Sequence, residues 1–265
     1  MQGIRSLLFV PAVERRLAKI GKTNADAYII DLEDSIAQED KEEALNRTVA
    51  FLRTCEIGNL FVRINRTRQK IELEALDQFR IGFMLPKVER ESDYEAVQGK
   101  LKSHRVMALI ESAAGVMNSN MIASIPWVTA LAFGAEDFTV ATNISNDIDS
   151  LSVPKSMIAL AAKANHKKVY DTPCFQIKDV EVLNSEMQQA MKLGYDGKLA
   201  IHPRQIDSIN EAFKLLDPDY MKRVVKIYES SRNAVCEIDG KVYEKLHIDR
   251  LKRMLTQEEF RKEVQ

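Results

Sequence analysis

The feature that most constrains this chain is a rhythm. Eight short apolar runs, at residues 6–11, 27–32, 60–65, 82–88, 105–110, 129–134, 168–171 and 197–201, alternate with longer segments of helical period. Runs so short and so continuously apolar suit strands buried on both faces, as in a parallel sheet. Between them the spacing predicts helices at residues 40–54, 92–102, 115–124, 153–165 and 180–193. Ser92 and Glu95 have the separation of a capping box, and Gly194 is placed to stop the last helix. Eight strand–helix units in about 200 residues predict an α/β fold, a (β/α)8 TIM barrel. An open doubly wound sheet is the alternative that the same pattern allows.

Residues 1–216 are assigned to the barrel, which closes with an additional helix near 204–215. Residues 217–265 form a C-terminal helical and hairpin extension, in which Asp239-Gly240 turns between strands at 235–238 and 242–243. The extension is too short to be a domain and is expected to pack on the barrel or on a neighbouring subunit. The chain carries 38 basic and 39 acidic residues, so no basic excess exists to hold a nucleic acid. Cys55, Cys174 and Cys236 stand far apart with no CxxC pair, as reduced thiols of a cytoplasmic protein would. No stretch approaches the roughly 20 apolar residues that span a bilayer, so no membrane partner is expected.

Polar residues fall where the runs end. Asp31, Glu33 and Asp34 follow the second, and Arg63 and Asn65 lie in the third. Lys87 and Glu89 end the fourth, Glu111 the fifth, Glu136 and Asp137 the sixth, Tyr170 and Asp171 the seventh, and Lys198 and His202 the eighth. Barrel enzymes build their sites at these carboxyl ends. Acidic groups crowded on one rim repel unless a cation compensates them, and oxygen ligands select a hard one. Glu111 and Asp137 follow their runs closely on strands expected to be neighbours. Two carboxylates, with other positions left to water and substrate, suit Mg2+ or Mn2+. For either residue alone a helix cap serves as well: Glu111 precedes Ser112-Ala113-Ala114, and Asp137 precedes Phe138. Arg63 interrupts an apolar run, so its guanidinium needs a planar acceptor. That acceptor is a substrate oxyanion or, on equal terms, Asp31 or Asp34. Lys87 is expected in a salt bridge, and His202 is expected to shape the eighth loop.

These residues carry a resemblance. Ser6-Leu7-Leu8-Phe9-Val10-Pro11, Asp31-Leu32-Glu33-Asp34-Ser35, Val62-Arg63-Ile64-Asn65, Leu85-Pro86-Lys87-Val88-Glu89, Leu109-Ile110-Glu111-Ser112, Phe133-Gly134-Ala135-Glu136-Asp137 and Gly197-Lys198-Leu199-Ala200-Ile201-His202-Pro203 occur in order. Together they resemble the citrate lyase β-subunit-like family, relatives of malyl-CoA and citramalyl-CoA lyases in the phosphoenolpyruvate/pyruvate barrel superfamily. The resemblance implies Mg2+ on Glu111 and Asp137 and Arg63 against the substrate carbonyl. Backbone amides of Gly134, Ala135 and Glu136 would meet the substrate carboxylate. Asp34, with Glu33 and Lys87, would stand one layer out from the ion.

The implied reaction is carbon–carbon cleavage or synthesis on a β-hydroxyacyl-CoA of citryl-, malyl- or citramalyl-CoA type. It links an acyl-CoA with a keto acid, CoA being part of the substrate. A homo-oligomer, trimer or hexamer, is implied, with the tail reaching a neighbouring site. Glu244 stands where the lyases carry a tail aspartate as base. Further differences are Ala12 after the first Val-Pro, the shortened loop Arg66-Thr67-Arg68-Gln69-Lys70, and Phe138-Thr139-Val140-Ala141-Thr142-Asn143. They motivate the alternatives of an aldolase or hydrolase acting on a carboxylate without CoA, or a non-catalytic homologue.

Overall fold

Alternation with a period of two decides what the apolar runs become. The structure, a computed structural model, describes residues 3–214, 218–231 and 233–263. Strands β1 (Ser6–Pro11), β2 (Ala27–Asp31), β3 (Leu60–Arg63), β4 (Gly82–Leu85), β5 (Arg105–Ile110), β6 (Val128–Phe133), β7 (Lys168–Asp171) and β8 (Gly197–Ala200) pair in sequence order. All pairs are parallel, and β8 closes on β1 to complete a barrel. One face of each strand fills the interior with Leu7, Ile29, Phe61, Met84, Met107, Leu109, Ala132, Tyr170 and Leu199. The other face, with Leu8, Ile30, Val62, Phe83 and Val169, packs under the helices. Burial on both sides is why the runs are continuously apolar.

The main helices are α1 (Lys41–Leu52), α2 (Gln69–Leu76), α3 (Ala113–Met117), α4 (Ser119–Ser124), α5 (Ala135–Thr142), α6 (Ser152–Ala164), α7 (Val180–Leu193), α8 (Ile206–Ala212), α9 (Pro218–Ser231) and α10 (Lys245–Glu263). The stop after α7 is as the sequence predicts: Gly194 adopts φ +89°, which a side chain would strain.

Several boundaries differ for identifiable reasons. Strands β3 and β4 end before Asn65 and Lys87, whose backbone groups find side-chain partners in place of the ladder. The Asn65 amide donates to Glu72 Oε2 at 2.7 Å, and the Lys87 amide donates to Glu111 Oε2 at 2.8 Å. The helix expected over 115–124 is two helices that meet at Asn118. The segment 92–102 becomes a 3₁₀ stretch, Glu91–Val97, followed by the short helix Gln98–Leu101. Its start is organised by Asp93, which accepts from the Glu89 and Arg90 amides, so the Ser92–Glu95 box does not define it. After β8, a turn at Pro203–Gln205 leads into α8. The expected end of that helix at residue 215, and the 216/217 boundary, lie outside the described residues.

The tail builds the expected hairpin, β9 (Val235–Ile238) and β10 (Lys241–Glu244), antiparallel about Asp239-Gly240. Met221, Val224, Ile238, Tyr243, Ile248 and Leu251 form its own small core. It borders the amino end of the barrel. Tyr243, Lys241 and Arg250 line a cavity of about 420 Å³ together with Lys168 and Asp196, which flank the starts of β7 and β8. Among the described residues no helix is long and apolar enough to cross a membrane.

Candidate active site

The strand register stacks inward-facing residues in layers, and the uppermost layer is polar. Asp31 pairs in register with Arg63 across β2 and β3. Glu111, next after β5, and Gly134, next after β6, extend that layer. They open into a cavity of about 480 Å³ that also meets Phe9, Asp137, Thr172 and Phe175.

Arg63 is held by three carboxylates. Its Nε and Nη2 donate to Asp31 at 2.7 and 2.8 Å, and its Nη1 stands 3.0 Å from both Glu33 and Asp34. The guanidinium lies 5.0 Å above the Phe9 ring. Both internal partners that the sequence allows are therefore present. Burial opposes charge on Arg63, but Asp31, Glu33 and Asp34 outweigh it and raise the guanidinium above its usual value. Burial likewise works against ionised Asp31, and Arg63 overcomes it, leaving that carboxyl below its ordinary range. Asp31 also accepts from the Glu33 and Ser35 amides, so one side chain fixes both the loop and the arginine. Sequence reasoning offered Asp31 only as an internal partner; the signal for more was an aspartate ending an unbroken apolar run.

Glu111 presents the opposite balance. It is 4% exposed, and its carboxyl is pushed up to about 8, first by burial, then by the charges of Glu33 and Asp137. Arg63 and the Lys87 amide oppose this without reversing it. Glu33 is raised to about 7, mainly by burial that Arg63 only partly offsets. Lys87 supplies the nearest ammonium, 3.5 Å from Glu33 and 3.7 Å from Asp137. Its backbone takes the left-handed φ of 53°, a conformation costing a non-glycine residue about 1–2 kcal/mol, and thereby turns its amide toward Glu111.

Neither metal candidate is a helix cap. Ser112 caps α3, accepting from the Gly115 amide, which frees Glu111. Asp137 lies in the first turn of α5 with its side chain 41% exposed, beyond the N-cap position at Gly134. Gly134 must be glycine here. A Cβ would stand 2.5 Å from Glu111 Cγ and 2.7 Å from its Oε1, so any side chain would displace the carboxylate. Among the described residues no group of three or more His, Cys, Asp or Glu side chains could hold a metal unaided. A buried Glu111 short of positive charge, with the half-exposed Asp137 beside it on the same cavity, fits a divalent ion that takes its remaining ligands from water and substrate.

The α5 N-terminus supplies amides. The first bond inside that helix is Phe138 N–H to Gly134 O, so the preceding amides lie outside its ladder. The Gly134 amide is committed to Ile110 O at 2.9 Å, and the Ala135 amide donates to Thr172 Oγ1 at 3.2 Å. Of the three amides expected at the substrate carboxylate, that leaves Glu136, with Asp137 beside it. The Glu136 side chain accepts from Asn146 at 2.5 Å. Thr172 had no signal in the sequence, since a threonine beyond a strand is ordinary.

Three expected residues stand apart from this centre. Glu244 ends β10 beside Tyr243, which borders the amino end of the barrel, and among the described residues none of the tail lines the cavity at the opposite end. His202 accepts from the Arg204 amide through Nδ1 and so shapes the eighth loop. Lys198 points away from the interior. Fully buried, it contacts Asp171 at 2.8 Å, Glu186 at 2.8 Å and the Thr172 carbonyl at 2.6 Å, and Lys155 adds a 2.9 Å contact to Asp171.

Comparison with known proteins agrees with the barrel fold. The family described as HpcH/HpaI aldolase/citrate lyase matches residues 5–203. The (3S)-malyl-CoA thioesterase of Cereibacter sphaeroides is 31% identical over 258 residues, 92% of this chain and 90% of that protein. The citrate lyase subunit beta of Leuconostoc mesenteroides subsp. cremoris is 32% identical over 230 residues, 79% of this chain and 76% of that protein. Among solved structures, the protein CitE of Mycobacterium tuberculosis, in complex with magnesium, acetoacetate and coenzyme A, superposes with a TM-score of 0.70. It is 26% identical, and the match covers 96% of this chain and 97% of that one.

Proposed function

We propose, from the premise that this chain belongs to the HpcH/HpaI aldolase/citrate lyase family, that it is a Mg2+-dependent enzyme of β-hydroxyacyl-CoA thioesters. In this reading it breaks or makes the bond between an acyl-CoA and a keto acid. The observation that carries the reading is the pairing of an undercompensated Glu111–Asp137 site with an immobilised Arg63 in one cavity. Glu111 and Asp137 would hold the ion, with Asp34, Glu33 and Lys87 one layer out. The ion would supply Lewis acidity to the carboxylate and the adjacent oxygen of the substrate. Mn2+ suits the same oxygen donors.

The chain's own groups account for the rest. Amides at the α5 N-terminus receive the substrate carboxylate, where the helix dipole favours an anion. Arg63 is already fixed by Asp31, so it meets developing charge on the reacting oxygen without reorganising. Phe9 and Phe175 keep the mouth apolar and limit water. In cleavage a base takes the hydroxyl proton. The oxygen's electron pair then forms the keto acid carbonyl, and the carbon–carbon pair passes to the α-carbon of the thioester, which is protonated to acyl-CoA.

Glu244 is the proposed base, delivered from a neighbouring copy. Val235, Val242 and Leu246 beside it are more than half exposed apolar side chains, as a contact surface would require. This assembly, a trimer or hexamer, and a cytoplasmic location complete the reading. Glu244→Gln is expected to leave Mg2+-dependent keto acid affinity within about twofold while lowering turnover by roughly 100-fold or more. Calorimetry and single-turnover assays check it, and unchanged turnover would remove Glu244 from the mechanism.

Thioester hydrolysis is the second reading, favoured by the similarity to a malyl-CoA thioesterase over most of the chain. Products decide between the two. With malyl-, citramalyl- or citryl-CoA and Mg2+, mass spectrometry should find glyoxylate, pyruvate or oxaloacetate with the matching acyl-CoA. Free CoA thiol with the intact hydroxy acid would establish hydrolysis, and no metal-dependent product from any thioester would sink both readings.

A further inference from the structure

Thr172 sits where the α5 amides and the cavity meet, and its surroundings leave its hydroxyl one open role. It is 5% exposed and lines the mouth cavity. Its Oγ1 accepts from the Ala135 amide at 3.2 Å. A hydroxyl that has accepted one hydrogen bond still carries its own hydrogen. Among the described residues, that hydrogen has no acceptor. Its main chain is fixed independently: the Thr172 carbonyl accepts from Lys198 Nζ at 2.6 Å, and Lys198 is anchored on Asp171 and Glu186. Lys198 is fully buried with three oxygen partners, so the carbonyl has little freedom, and the side chain is held toward α5.

The position matters because the neighbouring donors are spent. Gly134 gives its amide to the barrel ladder, and Ala135 gives its amide to Thr172. A carboxylate docking at the α5 N-terminus would meet only the Glu136 and Asp137 amides unless Thr172 contributes. We propose that Thr172 is a substrate-contacting residue. Its hydroxyl passes the Ala135 hydrogen bond onward by donating to the carboxylate of the keto acid fragment, restoring the donor that the ladder removes from Gly134. The inference rests on the proposed keto acid site and names a further donor within it.

Binding to the full-length protein tests this without requiring turnover. Calorimetry would measure pyruvate, glyoxylate and oxaloacetate in the presence of Mn2+, and Mn2+ alone, for the wild type and for Thr172→Val, Thr172→Ala and Thr172→Ser. A hydrogen bond to a charged group is expected to be worth on the order of 10-fold or more in affinity. Valine and alanine should both lose that factor for the keto acids, while Mn2+ affinity stays within about twofold. Serine, which keeps the hydroxyl, should restore most of the loss. Keto acid affinity unchanged in valine or alanine would overturn the proposal, as would an equal loss of Mn2+ affinity, which marks a structural defect. If valine fails to fold, alanine and serine decide the same question. A wild type that binds no keto acid with the metal overturns the underlying function and the contact together. A wild type that binds, beside an unimpaired valine variant, overturns the contact alone.

Discussion

Glu111→Gln is expected to abolish metal-dependent keto acid binding and, in the metal-free protein near pH 8, to raise the melting temperature. The two effects have one cause. Glu111 is buried beside Glu33 and Asp137, and its carboxyl is raised to about 8 from 4.5. A carboxyl whose folded value exceeds its unfolded value contributes stability that is complete below about 4.5. That contribution disappears as the pH rises toward 8. The metal-free protein should therefore weaken across this window by at most about 1.4 kcal/mol for each pH unit, an upper bound of roughly 10 °C or more over the whole window. Glutamine keeps the shape and can still accept from the Lys87 amide, but it has no charge to desolvate, so the slope should flatten. Mg2+ should stabilise the wild type near pH 8 and leave the variant unmoved. Thermal melts at pH 6 and pH 8, with Mg2+ and with a chelator, check both halves. A glutamine variant that still binds keto acid with the metal would falsify the assignment of Glu111 as ligand.

Arg63→Ala should be the most damaging single change. It removes the partner of a buried Asp31 and the nearest cation to Glu33, and breaking such a cluster from one side costs about 3–5 kcal/mol. For a chain of this size the melting temperature should fall by roughly 10 °C. Turnover should fall by a factor of about 100–1000, as for loss of one fixed donor to developing charge. Arg63→Lys separates the roles. Lysine returns the charge, and so part of the stability. One ammonium cannot hold both Asp31 oxygens while also reaching Glu33 and Asp34, so turnover should not follow. A lysine variant with wild-type turnover would show that charge alone suffices and that the fixed fork is not used.

Much of this site was legible in the linear order of residues. Glu111, Asp137 and Arg63 stand at the ends of apolar runs, and in a parallel barrel every such end faces the same way. Neighbours bear on two readings that the sequence leaves open. Glu111 could have capped a helix, but Ser112 does so. Arg63 could have met an internal aspartate or a substrate oxyanion, and the internal partners Asp31 and Asp34 are present. The Ser92–Glu95 box is locally plausible, yet Asp93 organises the segment, its carboxylate accepting from the Glu89 and Arg90 amides and from Arg66 Nη2 at 2.6 Å. Glu244 was placed by motif, and one chain alone leaves it at the far end of the barrel from the cavity.

The sequence by itself determined the eight buried strands and their polar rim, because strand period and two-sided burial are properties of consecutive residues, whereas the pairing of β8 with β1 closes them into a barrel in place of an open sheet. Only the tertiary structure decided which rim groups neutralise one another and which are left buried without a sufficient counter-charge. That follows from register: Asp31 meets Arg63 and Gly134 meets Glu111 across neighbouring strands joined by a helical crossover. The commitment of the Gly134 amide, the turn at Lys87 and the open hydroxyl of Thr172 are likewise set by what lies opposite in space. Charge balance at close quarters depends on such ångström-scale contacts, and adjacency along the chain does not encode them.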